Sequence, residues 1–155
     1  MKINPKELAD FLNEANKSAY ANKDTPKTTS TREKSEDYHF EKGGLIYHDT
    51  YFGARDFIGE EVVYKDGEPV WAMNYYGFIL KPKASTKEVY SILRSALIQE
   101  YNDILPVRGP REYKEGESMY RNYSEGSLER FTGTEEIGLN GEKVYTCWYH
   151  GGSIE

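Results

Sequence analysis

Apolar positions along the chain follow two different spacings. Leu8, Phe11, Leu12, Ala15 and Ala19 recur every three or four residues, the period of one helix face. Asn4 as cap, Pro5 in the first turn and Glu7 three residues past the cap fix its start, and Ile3 with Leu8 stands at staple spacing. A helix is therefore predicted over about 5–21. Val89, Ile92, Leu93, Ala96, Leu97 and Tyr101 make a second stripe, opened by Ser85-Thr86-Lys87-Glu88, which predicts a helix running to about Asn102. Elsewhere the pattern alternates, and strands are predicted over 44–52, 59–65, 68–78, 117–123, 128–139 and 142–150. Asp66-Gly67 and Asn140-Gly141 are two-residue hairpin turns. The first sets Tyr64 opposite Pro69, Val63 opposite Val70, Val62 opposite Trp71 and Glu60 opposite Met73. In that register neither face of the hairpin is plainly polar, so both need covering. A two-residue turn at Glu125-Gly126 would set Arg121 against Arg130, so a longer loop or a bulge is expected there.

Residues 22–37 contain no large apolar side chain and read as a long polar loop, mobile or acting as a lid. No internal repeat is expected. The elements together predict one α+β domain spanning 1–155, a curved antiparallel β-sheet of about six to seven strands with two helices packed against it.

Composition changes this picture in one respect. Leu, Ile, Val and Phe supply only 30 of 155 residues, about the level at which a highly charged chain stays disordered. The net charge of −6 is modest, and 14 tyrosines and 2 tryptophans restore the buriable area. The interior is thus expected to be built from tyrosine, with hydroxyls to satisfy. The acidic balance and lack of a basic stripe argue against nucleic acid as a direct partner. No apolar run is long enough for a membrane span and the N-terminus is charged, so a cytoplasmic protein is expected. One cysteine, Cys147, excludes an internal disulfide and reads as a packed small side chain.

Candidate chemistry concentrates between Tyr47 and Gly77. Tyr47, Asp49 and Tyr51 alternate onto one strand face, and an inward Asp needs partners, which Arg55 or tyrosine hydroxyls could supply. One reading is a small-molecule pocket lined by Tyr47, Tyr51, Trp71, Tyr75 and Tyr76, with Asp49, Arg55, Glu61, Asn74 and His150 as polar groups. The bland alternative makes Asp49 and Arg55 a buried pair bracing a turn. A hydrolase-like enzyme would use Asp49 or Glu61 with His150. A third reading is a homo-oligomer, simplest as a homodimer, with the second apolar sheet face as the subunit interface. No metal site, cofactor motif, phosphate loop or nucleophile elbow is present in the sequence.

Tyr47-x-Asp49-x-Tyr51-x-Gly53, Phe57-x-Gly59-x-Glu61, Pro69-Val70-Trp71-x-Met73-Asn74-Tyr75-Tyr76-Gly77, and Tyr145 with Tyr149-His150-Gly151-Gly152 resemble an uncharacterised bacterial domain family. In that family the domain stands alone or follows an XRE-type helix-turn-helix. The resemblance covers about Leu8 to the C-terminus and implies an effector-sensing or oligomerising role. This sequence carries no such DNA-binding module, which leaves sensing as the implied role.

Overall fold

In the computed structural model, which describes residues 3–155, two helices and eight strands alternate in two like series. Helix α1 (Pro5–Ser18) precedes β1 (Glu36–Lys42), β2 (Leu45–Gly53), β3 (Asp56–Lys65) and β4 (Glu68–Ile79). Helix α2 (Thr86–Leu97) precedes β5 (Glu112–Glu115), β6 (Ser118–Ser127), β7 (Arg130–Leu139) and β8 (Glu142–Ser153). Every neighbouring pair is antiparallel, in the order β1-β2-β3-β4-β8-β7-β6-β5, so the two meanders meet at β4 and β8 and the sheet stays open. The α+β class and two helices are as expected, but there are eight strands rather than six or seven. The two extra strands are the edges. In β1 only Tyr38 and Phe40 turn toward the core among charged neighbours, and β5 is four residues long with Tyr113 alone packed on the core. Neither has the apolar alternation by which a strand is read from sequence.

Both helices lie on one face, and their stripes merge with the strand residues of that face into one core. Asn4 Oδ1 accepts from the amides of Lys6 and Glu7, and Ser85 Oγ from that of Glu88, as the capping pattern predicts. The helices end at Ser18 and Leu97, earlier than the apolar stripes suggest. The loop over 22–35 is anchored: the Thr28 amide donates to Asp37, and the Asp37 carboxylate accepts from Thr31 Oγ1 at 2.7 Å and from Ser35 Oγ, with His48 Nε2 at 2.7 Å. Among the described residues no helix is long and apolar enough to cross a membrane.

The hairpin register differs from expectation because of a bulge between Val63 and Tyr64. Tyr64 faces Pro69, but Val63 pairs with Trp71, Val62 with Ala72, Glu61 with Met73 and Glu60 with Asn74. One extra residue re-sorts the faces. Phe57, Glu61, Val63, Trp71, Met73 and Tyr75 now share the covered side, and Ile58, Glu60, Val62, Ala72, Asn74 and Tyr76 the outer one. The other hairpin is corrected too: β6 continues through Glu125-Gly126, the turn is Leu128-Glu129, and Arg121 pairs with Glu136.

The two series are copies. Tyr47-x-Asp49-x3-Gly53, Phe57-x-Gly59-x-Glu61, Asp66-Gly67-Glu68-x-Val70 and Tyr75-x-Gly77 return as Tyr120-x-Asn122-x3-Gly126, Phe131-x-Gly133-x-Glu135, Asn140-Gly141-Glu142-x-Val144 and Tyr149-x-Gly151, each 73 or 74 positions later. The expectation of no repeat is therefore overturned. The bulge recurs between Ile137 and Gly138, at the equivalent step. A Cβ on Gly59 would lie 2.3 Å from the Tyr75 hydroxyl, and one on Gly133 the same distance from that of Tyr149. In each copy a tyrosine of the last strand thus lies across a glycine of the strand beside it. The helices repeat their buried spacing from the cap, with Leu8, Phe11, Leu12 and Ala15 answering to Val89, Ile92, Leu93 and Ala96.

Candidate functional site

A cavity of about 260 Å³ lies between the helices and the covered face of β2, β3 and β4. Tyr47, Asp49 and Tyr51 reach it from β2, Phe57 and Glu61 from β3, Tyr75 from β4, and Leu93, Arg94 and Leu97 from α2. Tyr20 and Lys27 border it from the chain after α1, and Val107 and Arg108 from the chain before β5. Its volume exceeds the ~150 Å³ of an engineered cavity that holds benzene, and approaches the lower end of small-molecule sites.

Strand pairing sets the electrostatics. Asp49 and Glu61 are directly opposed across β2 and β3, and both are buried. Like charges so placed destabilise a sheet. The Tyr75 hydroxyl donates to Asp49 Oδ1 at 2.6 Å, while Glu61 Oε2 is buried without a hydrogen-bond partner. Burial raises the Asp49 carboxyl to about 6, against the hydrogen bond from Tyr75 and the charge of Arg108. Burial and then the neighbouring Asp49 raise Glu61 to about 8, while Arg108 and Tyr47 pull it down. Arg108 Nη1 stands 3.8 Å from Glu61 Oε1, beyond hydrogen-bond reach.

That guanidinium is engaged in the second copy. Arg108 donates to Glu135 through Nη2 at 2.6 Å and Nε at 3.2 Å, and the hydroxyls of Tyr120 and Tyr145 donate to the same carboxylate at 2.7 and 2.9 Å. Asn122, the counterpart of Asp49, donates to the Gly109 carbonyl at 2.7 Å and accepts from Tyr149 at 2.6 Å. Residues 107–110 are buried and occupy this site from within the chain.

A family model described as a domain of unknown function (DUF5680) matches residues 49–154. The chain belongs to this family. No curated protein and no solved structure matches it. The matched span starts at Asp49 and includes most of both strand series of the DUF5680 domain.

Five of the sequence-predicted site residues, Tyr47, Asp49, Tyr51, Glu61 and Tyr75, meet in the cavity. The other five stand elsewhere. Arg55 braces the β4–α2 connection through the carbonyls of Lys81 and Ala84 and makes no pair with Asp49. Trp71 is on the covered face but stacks on Phe131 and donates Nε1–H to the Leu128 carbonyl at 3.0 Å. Asn74, Tyr76 and His150 project from the outer face, with Asn74 and His150 cross-strand partners, so His150 is separated from Asp49 and Glu61 by the sheet. Sequence reasoning missed Arg108 and Glu135. The 74-position match of Glu135 to Glu61 would have revealed the latter, whereas Arg108 lies in a Pro/Gly-rich connection with no periodic signal. Among the described residues no group of His, Cys, Asp and Glu could hold a metal ion.

Proposed function

We propose that this DUF5680 domain is a non-catalytic small-molecule-binding or sensing module, acting in the cytoplasm, with the Asp49–Glu61 cavity as its ligand site. The observation that carries this is Glu61: a buried carboxylate with an unpartnered oxygen, lining a cavity rather than packed against protein. Buried polar groups are almost always satisfied, so an unpartnered one calls for an explanation, and for an oxygen that lines a cavity a bound molecule supplies it. The resemblance to domains that follow XRE-type regulators supports sensing. A thermal-shift screen against a metabolite library tests it, because a ligand that binds only the folded state raises its stability. The expected hits lose their effect when Leu93→Trp fills the cavity. Hits unaffected by that substitution would place binding elsewhere and refute the assignment.

A second reading, a homodimer through the outer face, has its own observation. Phe52, Ile58, Tyr76, Trp148, Thr134 and Tyr123 form one cross-strand row over six strands, with Ile58, Tyr76, Trp148 and Tyr123 exposed. A largely aromatic, apolar row of this kind, broken only by Thr134, is a candidate contact surface. Sedimentation of the wild type against Trp148→Glu tests it: a dimer that dissociates in the variant supports the reading, and a wild-type monomer removes it.

A further inference from the structure

The two copies of the repeat are alike in backbone, bulge and buried tyrosine, yet their carboxylate centres differ in what fills them. In the second, Glu135 has four donors, two of them from the Arg108 guanidinium, and residues 107–110 take up the space beside it. In the first, the equivalent Glu61 faces a cavity, and its own tyrosine, Tyr47, is the counterpart of Tyr120. Trp71 stands where the second copy has Tyr145, so that hydroxyl is missing, and Asp49 stands where it has the neutral Asn122. Relative to the filled centre, the empty one thus carries one more carboxylate and has no guanidinium donating to it, since Arg108, 3.8 Å from Glu61, gives its hydrogen bonds to Glu135.

From this we propose that the cavity takes a small organic cation, a protonated amine, amidine or guanidinium on a compact apolar body, whose head group occupies beside Glu61 and Asp49 the place Arg108 occupies beside Glu135. The inference rests on the binding reading above and names its ligand class. Tyr47, Tyr51 and Tyr75 supply the ring surfaces that favour a cation. The cations already bordering the space are committed: Arg108 to Glu135, Lys27 to Glu36 at 2.9 Å, and Arg94 to the Tyr20 carbonyl and ring. An anion would meet two buried carboxylates with no free positive partner. Amidines and guanidinium groups match a carboxylate in two-point geometry, as Arg108 does on Glu135.

The full chain is titrated with four probes of nearly equal size, benzamidine and benzylamine against benzyl alcohol and benzoate, with the unfolding midpoint as readout. Both cations should raise the midpoint in proportion to the logarithm of concentration, and the alcohol and benzoate should not. Glu61→Gln should weaken the cations about tenfold or more, while Glu136→Gln on the outer face should leave them unchanged. If benzyl alcohol or benzoate binds as well as the cations, and Leu93→Trp abolishes it, the cation class is wrong and the binding reading stands. Failure of both cations to bind overturns the proposal. If in addition no probe binds and Leu93→Phe is more stable than wild type, the cavity is a packing void and both readings fall.

Discussion

Replacing Glu61 by Gln should stabilise the ligand-free protein, and the size of the effect follows from where its proton resides. In the unfolded chain the carboxyl titrates at its ordinary 4.5, whereas burial opposite Asp49 raises it to about 8. At pH 7 folding must therefore put a proton on a group that is ionised in the unfolded chain. The separation between 4.5 and pH 7 corresponds to about 3 kcal/mol, at roughly 1.4 kcal/mol per pH unit. Gln is neutral in both states and carries no such cost, so Glu61→Gln should gain about 3 kcal/mol at pH 7, or about 6–12 °C in Tm for a chain of this size. A raised carboxyl stabilises fully below its unfolded value and loses that contribution as pH rises through the folded one. The wild type should accordingly weaken from about pH 4.5 to 8 relative to the variant, and the two should converge near pH 4.5. Glu135→Gln has the opposite sign, because it leaves the buried Arg108 charge without its main partner, a loss of about 3–5 kcal/mol. Urea unfolding of wild type and both variants between pH 4.5 and 8 measures this. A Glu61→Gln variant that is less stable than wild type at pH 7, or a difference that does not change with pH, would refute the account.

Other outcomes follow from the same structure. Gly59→Ala forces a Cβ into the Tyr75 ring and should destabilise by about 1–3 kcal/mol, with Gly133→Ala behaving alike against Tyr149; chemical denaturation of both checks this, and a neutral result at either would contradict the packing. Burial raises the Asp37 carboxyl, but Ser35, Thr31 and His48 together bring it down to about 2, so its contribution is present above its ordinary 3.8 and lost as pH falls toward 2. Asp37→Asn should therefore flatten the acid limb of the stability profile below about pH 4. Burial pushes the Cys147 thiol up to about 12, so it should resist a thiol reagent in the native protein and react on unfolding in guanidinium. Asp49→Asn and Glu61→Gln should be non-additive, because the Asp49 charge is part of what holds the Glu61 carboxyl high, so Glu61→Gln gains less once Asp49 is neutral; a double-mutant cycle at pH 7 with no coupling would place them in separate environments.

Capped helices, both Asp/Asn-Gly hairpins and the alternation of Tyr47, Asp49 and Tyr51 onto one face were legible along the chain, because each rests on local chemistry or strand alternation, whereas Glu61 and Tyr75 come to share that side only through the bulge. Three features were not. The bulge after Val63 has no residue signature of its own, and a single inserted residue inverts the face of everything beyond it, which is how Trp71 changes partner from Val62 to Val63. The edge strands present only one or two side chains to the core and so lack a period. Arg108 acts through a connection that folds back on the sheet, a tertiary event that no spacing encodes. The duplication, by contrast, was present in the sequence and hidden by scattered identities: the pattern from Tyr47 to Gly77 overlays that from Tyr120 to Gly151 only when one residue is inserted before Phe131.

The duplication also bears on why an under-aliphatic chain keeps an unfavourable carboxylate in its interior. Both copies need a polar centre, because tyrosines on alternating covered positions bring hydroxyls into the core and each hydroxyl needs an acceptor. A glutamate on the third strand of each series stands within reach of them. In the second copy the chain supplies the countercharge itself, and Arg108, Glu135, Tyr120 and Tyr145 close a satisfied network that holds residues 107–110 against the sheet. Closing the first copy the same way would take an arginine in the connection before β1 and an Asn for Asp49. The chain instead has a second acid and open space there, at a cost of about 3 kcal/mol by the titration argument above. Packing alone offers no return for that cost, since Gln at 61 and Asn at 49 would fill the same volume without it. A group that destabilises its own fold and faces a cavity is what the proposed ligand site calls for, and the copy that Arg108 has closed carries no such group.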